Sequence, residues 1–303
     1  MRERPAPDGR QLPLSGLRGR TRPGRLTLLD ALLCAREREL LCRTSGAYAS
    51  AVFVDVGIGD EPDTTLETAR AFTALHPELR CIGVDVAAAR VERARRRIQR
   101  LLDPQPQRAA AASYVSALEL RVGGFALPLT AAEPARLVRA MNVLRNYPEA
   151  DVPAIHAALC EPLLPGGLLV EGSSSRRAGN LCAHLIRKHA NGARREALCF
   201  ASSFSEGFAP RMFRDCLPRD LRRHVRCGEA IGELLFSWQA AFERVRAPLR
   251  RRTPRQLFDE SAVALAERLP QGSLDLRWLP LGCLLWHPDH AAAIARTSPV
   301  PDC

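Results

Sequence analysis

The chain has 303 residues, 46% of them hydrophobic and 25% charged, a balance that fits a folded globular protein and excludes a low-complexity or disordered class. Its net charge of +11 invites a nucleic-acid partner, yet Lys188 is the lone lysine among 44 basic residues. With abundant alanine, proline and leucine, this arginine excess reads as the bias of a GC-rich genome, and any nucleic-acid partner would rest on charge alone.

Residues 1–25 hold seven arginines against two acids, with four prolines, and cannot bury enough apolar surface to fold by themselves. They read as a basic tail, with a lid or a phosphate-binding arm as the sharper alternatives. From Leu26 to Leu41, Leu29, Leu32, Leu33, Leu40 and Leu41 mark an amphipathic helix. The run Val52-Phe53-Val54-Asp55-Val56 then reads as a buried parallel strand. It ends in Gly57-Ile58-Gly59, a turn in which glycines let a ligand approach the backbone. Thr64 and Glu67 have the spacing of a capping box, so a helix follows at once. Strand, glycine turn and helix form the nucleotide-binding half of a doubly wound sheet. Proline at position 62 breaks the Gly-x-Gly-x-x-Gly pattern of nicotinamide and flavin sites. An acid at the strand tip, Asp55, suits instead the cationic end of S-adenosylmethionine.

Leu79 to Asp85 is a second strand that also ends in an acid, and Val86 to Leu102 a helix with an arginine-rich face. Leu118 to Val122 alternates like an edge strand and leads into Gly123-Gly124-Phe125. Leu137 to Leu144 is the fourth strand with its tip, where Asn142 can both donate and accept hydrogen bonds. Arg139 and Arg145 flank it as a possible clamp for an anion. A helix over 152–164 is closed by Pro165-Gly166-Gly167, which feeds the strand Leu168 to Gly172. Residues 176–190 look helical, and Ala197 to Ala201 is a sixth strand. About 75 residues then separate it from a last strand over 276–286, with helices near 208–216, 228–246 and 254–268.

Asp55, Gly57 and Gly59 resemble motif I of the class I S-adenosylmethionine-dependent methyltransferases, with Glu61 where that motif has its last glycine. The Leu-x-Pro-Gly-Gly turn before strand five is similar to theirs. Arg139 to Tyr147, Arg22-Pro23-x-Arg25-Leu26 and Leu168 to Gly172 resemble an uncharacterised bacterial group of that superfamily, over roughly residues 20–290. The resemblance implies a Rossmann-like, seven-stranded, mostly parallel sheet of order 3-2-1-4-5-7-6. The last strand would insert antiparallel between five and six, with a helical insertion at about 205–270 in a domain spanning 26–303. It implies S-adenosyl-L-methionine as cofactor, held by Asp55, Gly57, Gly59, Glu61, Asp85, Gly124, Phe125 and Asn142. Asp85 would take the ribose hydroxyls and Phe125 would form an adenine wall, since that loop carries no acid. Asn142 would face the transferred methyl; as a polar cap on the strand end it would do nothing chemical. The acceptor and the oligomeric state are left open.

The ten cysteines show no Cys-x-x-Cys pair and no Cys/His cluster at zinc spacing, so no metal centre is expected and a reducing compartment is. No apolar stretch reaches the roughly 18 residues of a membrane span, and no signal-peptide core opens the chain. A cytoplasmic methyltransferase is the expectation. The alternative is a non-catalytic scaffold of the same fold, favoured by Glu61 and the acid-free loop; a dehydrogenase is disfavoured by Pro62 and Asp55.

Overall fold

The computed structural model describes residues 22–102, 114–177, 179–247 and 251–288, so most of the basic segment 1–25 lies outside the described residues. Strand β1 (Val52–Val56) is buried along its whole length, as a run that is apolar but for Asp55 allows when both faces of a sheet are covered. Strands β2 (Cys81–Asp85), β3 (Leu118–Val122), β4 (Ala135–Met141) and β5 (Leu163–Ser174) join it in parallel, in the order β3-β2-β1-β4-β5. This is the parallel half that the class I methyltransferase resemblance implies, and the fold is Rossmann-like.

The other half departs from expectation. The sheet has nine strands rather than seven, in the order β3-β2-β1-β4-β5-β6-β7-β9-β8. The stretch read as helical holds strand β6 (Asn180–His189), which runs antiparallel to β5 and returns as β7 (Gly192–Ser202). From Asn180 to Ile186 every residue of β6 is buried, and a short, continuous apolar run has no period that separates helix from strand. The signal that distinguishes them is Asn191-Gly192, with Gly192 at φ +131°, closing a tight hairpin where His189 pairs with Gly192. Strand β6 takes the slot expected of the last strand. That strand, β9 (Cys283–Trp286), pairs outside β7, with the two-residue β8 (Leu274–Asp275) beyond it. Residues Leu276–Leu281 form a 3-10 helix instead of strand.

On one face lie α1 (Thr27–Arg36), the short α2 (Arg38–Cys42) and α3 (Asp63–Thr73), packing Leu29, Leu32 and Phe72 against Phe53, Leu137 and Val170. The single helix expected over 26–41 breaks at Glu37, whose carboxylate pairs with Arg187 of β6. The capping box does not form: α3 begins behind Pro62 without a side-chain cap, and Glu67 accepts the backbone N–H of Gly24 (2.8 Å) instead. The fully buried Arg136 donates to five backbone carbonyls between Leu40 and Ala51, fixing that connection to β4. On the other face, α4 (Ala88–Leu102) packs against β2 and β3, and α5 (Val152–Cys160) against β4 and β5. Helices α6 (Ala230–Arg246) and α7 (Pro254–Ala266) cover the β7–β9 end through Trp238, Phe242 and Phe258. Thr253 and Gln256 cap α7 reciprocally. Among the described residues no helix is long and apolar enough to cross a membrane.

Candidate functional site

The carboxyl ends of β1, β2 and β4 meet at the glycine turn, the place where open α/β sheets bind ligands. Gly57 (φ +81°) and Gly59 (φ +69°) both adopt left-handed backbone. A Cβ on Gly57 would stand 2.6 Å from Val143 Cγ2, so the turn lies directly against the segment after β4. Gly59 has open space where a side chain would be. Asp60, next in the chain, accepts from Arg93 (2.7 Å), and Asp63 accepts from Arg97 (2.9 Å). Two arginines of the arginine-rich face of α4 thus clasp the turn and the start of α3.

Asp85, at the tip of β2, is buried and spans the turn: Oδ2 accepts from Gly59 N (3.0 Å) and Oδ1 from Ala87 N (2.9 Å). The third wall is aromatic. Phe125 packs edge-on against Tyr147, their ring centroids 5.1 Å apart, and Gly124 beside it leaves open space. Burial, and then the Asp85 charge, push the Tyr147 phenol above its ordinary value. Tyr147 was not among the residues expected at the site; its signal is its place five residues after Asn142, in the segment that runs past the turn.

Asp55 behaves differently. The parallel register sets it beside Arg139, and the two side chains share a face of the sheet. Arg139 grips it with both prongs, Nε to Oδ1 (2.9 Å) and Nη2 to Oδ2 (2.7 Å), while Thr65 Oγ1 donates to Oδ2 (2.6 Å). Arg139 Nη1 reaches on to Asp30 (2.8 Å). Both Asp55 oxygens therefore face buried partners, where the expectation had the carboxylate toward a ligand's ammonium. The expected anion clamp loses Arg139 for the same reason: the guanidinium is fully buried and held by two carboxylates. Glu61 is half-buried, and no hydrogen bond or ion pair holds it among the described residues.

Asn142 closes the tip of β4 at φ +64°, one of two described non-glycine residues in the left-handed region. Such strain persists only where neighbours over-determine it. Here Asn142 N donates to Gly172 O (2.7 Å), its Oδ1 accepts from Ser174 N (2.9 Å), and its Nδ2 donates to Ser174 Oγ (3.0 Å). Arg145 Nη1 donates to Ser174 O (3.1 Å) beside it. Burial, followed by the charges of Arg222 and Arg176, holds the Arg145 guanidinium below its usual value. A pocket of about 880 Å³ opens here, lined by Arg145, Tyr147, Glu149, Arg219 and Arg223 among others. The structure thus brings Gly57, Gly59, Asp85, Gly124, Phe125 and Asn142 to one end of the sheet, and buries Asp55 beneath it.

No family model and no curated protein matches the chain. Solved structures similar to it include a magnesium protoporphyrin IX methyltransferase from Synechocystis PCC 6803 with bound SAH, at 18% identity and a TM-score of 0.34. That match covers 50% of this chain and 55% of the other. A glycopeptide N-methyltransferase is similar at 16% identity and TM-score 0.34, covering 48% and 56%. An S-adenosylmethionine-dependent methyltransferase from Clostridium acetobutylicum is similar at 13% and 0.33, covering 57% and 65%. Each match spans less than two thirds of the other protein.

Proposed function

We propose that the chain is an S-adenosylmethionine-dependent methyltransferase. The observation that carries this is the turn of Gly57 and Gly59, both in left-handed backbone, clamped by the buried carboxylate of Asp85 at the next strand tip. A cofactor laid across that turn meets Asp85 with its ribose and the Phe125–Tyr147 pair with its adenine. Glu61, free of partners, supplies the negative charge for the ammonium that Asp55 does not face. Asp55 acts at one remove, fixing Thr65 and the start of α3 under the turn. When bound, S-adenosylmethionine supplies an electrophilic methyl group. The protein's part is to align an acceptor with it, and Asn142, held by Ser174, is the polar group placed to orient that acceptor. The pocket beside it carries Arg145, Arg219 and Arg223, so it selects an acceptor bearing a carboxylate or phosphate.

Calorimetric titration with S-adenosylmethionine tests the reading: the wild type should bind, and Glu61→Ala should bind more weakly. Glu61 in place of the motif's glycine also favours a second reading, a non-catalytic scaffold of the same fold. No binding by the wild type, or tighter binding by the alanine variant, moves the conclusion to that scaffold.

A further inference from the structure

Behind the pocket, on the sheet face covered by α5, four side chains from four separate elements converge. They are His156 of α5, Glu171 of β5, His184 of β6 and Asp220 from the connection between β7 and α6. Glu171 and His184 are directly opposed across the antiparallel β5–β6 pair and are fully buried. Asp220 Oδ1 stands 2.9 Å from His184 Nε2, and Glu171 Oε2 stands 3.3 Å from His156 Nε2. One ligating atom from each of Glu171, His184 and Asp220 lies within 4.8 Å of the others, and the two imidazole rings are 6.0 Å apart.

Protein–protein contacts leave this cluster incompletely satisfied. Arg195 pairs with Asp220 (2.6 Å) and neutralises one of the two carboxylates. Glu171 has one polar side-chain partner among the described residues, His156. His184 faces Asp220 through Nε2, the nitrogen that would hold an ion once the ring proton sits on Nδ1, which is buried with no hydrogen-bond partner. A buried carboxylate with a single polar partner costs stability unless something more occupies it. An ion held tetrahedrally by N and O ligands at about 2.0–2.2 Å sets those atoms roughly 3.4 Å apart. The 2.9 and 3.3 Å spacings are near that value, and Glu171, His184 and Asp220 each offer an atom within 4.8 Å of the others.

We propose that His156, Glu171, His184 and Asp220 form a Zn²⁺ site. Two imidazoles and two carboxylates suit a borderline-soft divalent ion, and four protein ligands leave no open position, so the site is structural. Its effect would be to tie the connection between β7 and α6 to the sheet. Arg219, beside the ligand Asp220, donates to Tyr147 O (2.8 Å) and lines the arginine pocket, so the ion would fix that wall. This site stands independently of the methyltransferase reading.

The test uses the full chain, stripped with a chelator, titrated with Zn²⁺, dialysed, and assayed for metal content and unfolding midpoint. Retention of one equivalent and a raised midpoint are expected, with Asp220→Asn and His156→Gln each weakening binding about tenfold or more. The competing ligands are the buried thiols of Cys182 and Cys216, 3.7 Å apart. Cys216→Ser should therefore leave Zn²⁺ binding unchanged. Failure of the wild type to retain Zn²⁺, with no shift in midpoint, overturns the proposal. So does undiminished retention by both ligand variants, or loss confined to Cys216→Ser.

Discussion

Replacing Arg139 by methionine tests whether the acid of the glycine motif is there for the fold. Arg139 donates to both oxygens of Asp55, to Asp30, and to the Thr68 hydroxyl between them. Removing it leaves two carboxylates in the layer between the sheet and the α1–α3 face, neither more than 6% exposed. Breaking one side of a buried ion pair costs about 3–5 kcal/mol, and two stranded acids put this case at the upper end. Set against a total of about 5–15 kcal/mol, the variant keeps little margin. One relief is open to it. Burial already pushes the Asp30 carboxyl up to about 6, since the Arg139 charge is shared with Asp55. Without Arg139 that proton is held more tightly still, so acid should shrink the loss. Urea unfolding of wild type and Arg139→Met at about pH 7.5 and about pH 5.5 should show a large loss at the first and a smaller one at the second. A cost below about 1 kcal/mol at the higher pH, or one equal at both, would refute the reasoning. Arg139→Lys should recover only part of the loss, because an ammonium cannot grip Asp55 with two prongs and reach Asp30 as well.

Asp85→Ala should weaken S-adenosylmethionine binding by about 1.5–3 kcal/mol, the scale of a charge-assisted hydrogen bond. Unchanged affinity in a folded variant would show by calorimetry that the ribose acid lies elsewhere. The raised Asp30 carboxyl favours the folded chain fully below about pH 4, and that contribution is lost as pH rises through about 6. Stability measured against Asp30→Asn should accordingly fall for the wild type by about 3 kcal/mol over that window, and a difference of the opposite slope would exclude it. Binding to generic RNA or DNA should be weak and vanish at moderate salt, since α4 arginines that look free in sequence are paired with Asp60 and Asp63. Tight binding that survives near physiological ionic strength would contradict this.

The parallel half of the sheet was legible because its signals are local. A buried run ending in Gly57-Ile58-Gly59, and a second ending in Asp85, state both the strand and its carboxyl end. The position of the candidate site was legible in part for the same reason: Gly57, Gly59, Asp85, Phe125 and Asn142 all sit at strand tips or in the loops just after them. Asp55 was misplaced because its orientation is decided 84 residues away, by the register that sets Arg139 beside it. Strand β6 was missed because burial on both faces erases the alternation that marks a strand. The Glu171–His184 cluster has no sequence spacing to read, since pairing across two strands brings it together.

The hairpin of β6 and β7 also changes what the insertion is. Had the last strand filled the slot beside β5, helices α6 and α7 would sit on a sheet already complete, and could be lost without touching its core. Instead β9 adds outside β7, and residues of both strands face the insertion. Phe200 of β7 lies 5.2 Å from Phe213 and 5.5 Å from Trp238, both on segments between β7 and β9. Trp238 donates in turn to Ser261 of α7 (3.0 Å), so the two helices lock to each other through the same ring. Burying each such aromatic side chain is worth about 1.5–3 kcal/mol, and exposing several together would exceed the stability of most domains. The segment is therefore part of the sheet's own core. Asp220 and Arg219 leave that core to reach His184 and Tyr147, so the same packing that completes the sheet also sets the wall of the arginine-lined pocket.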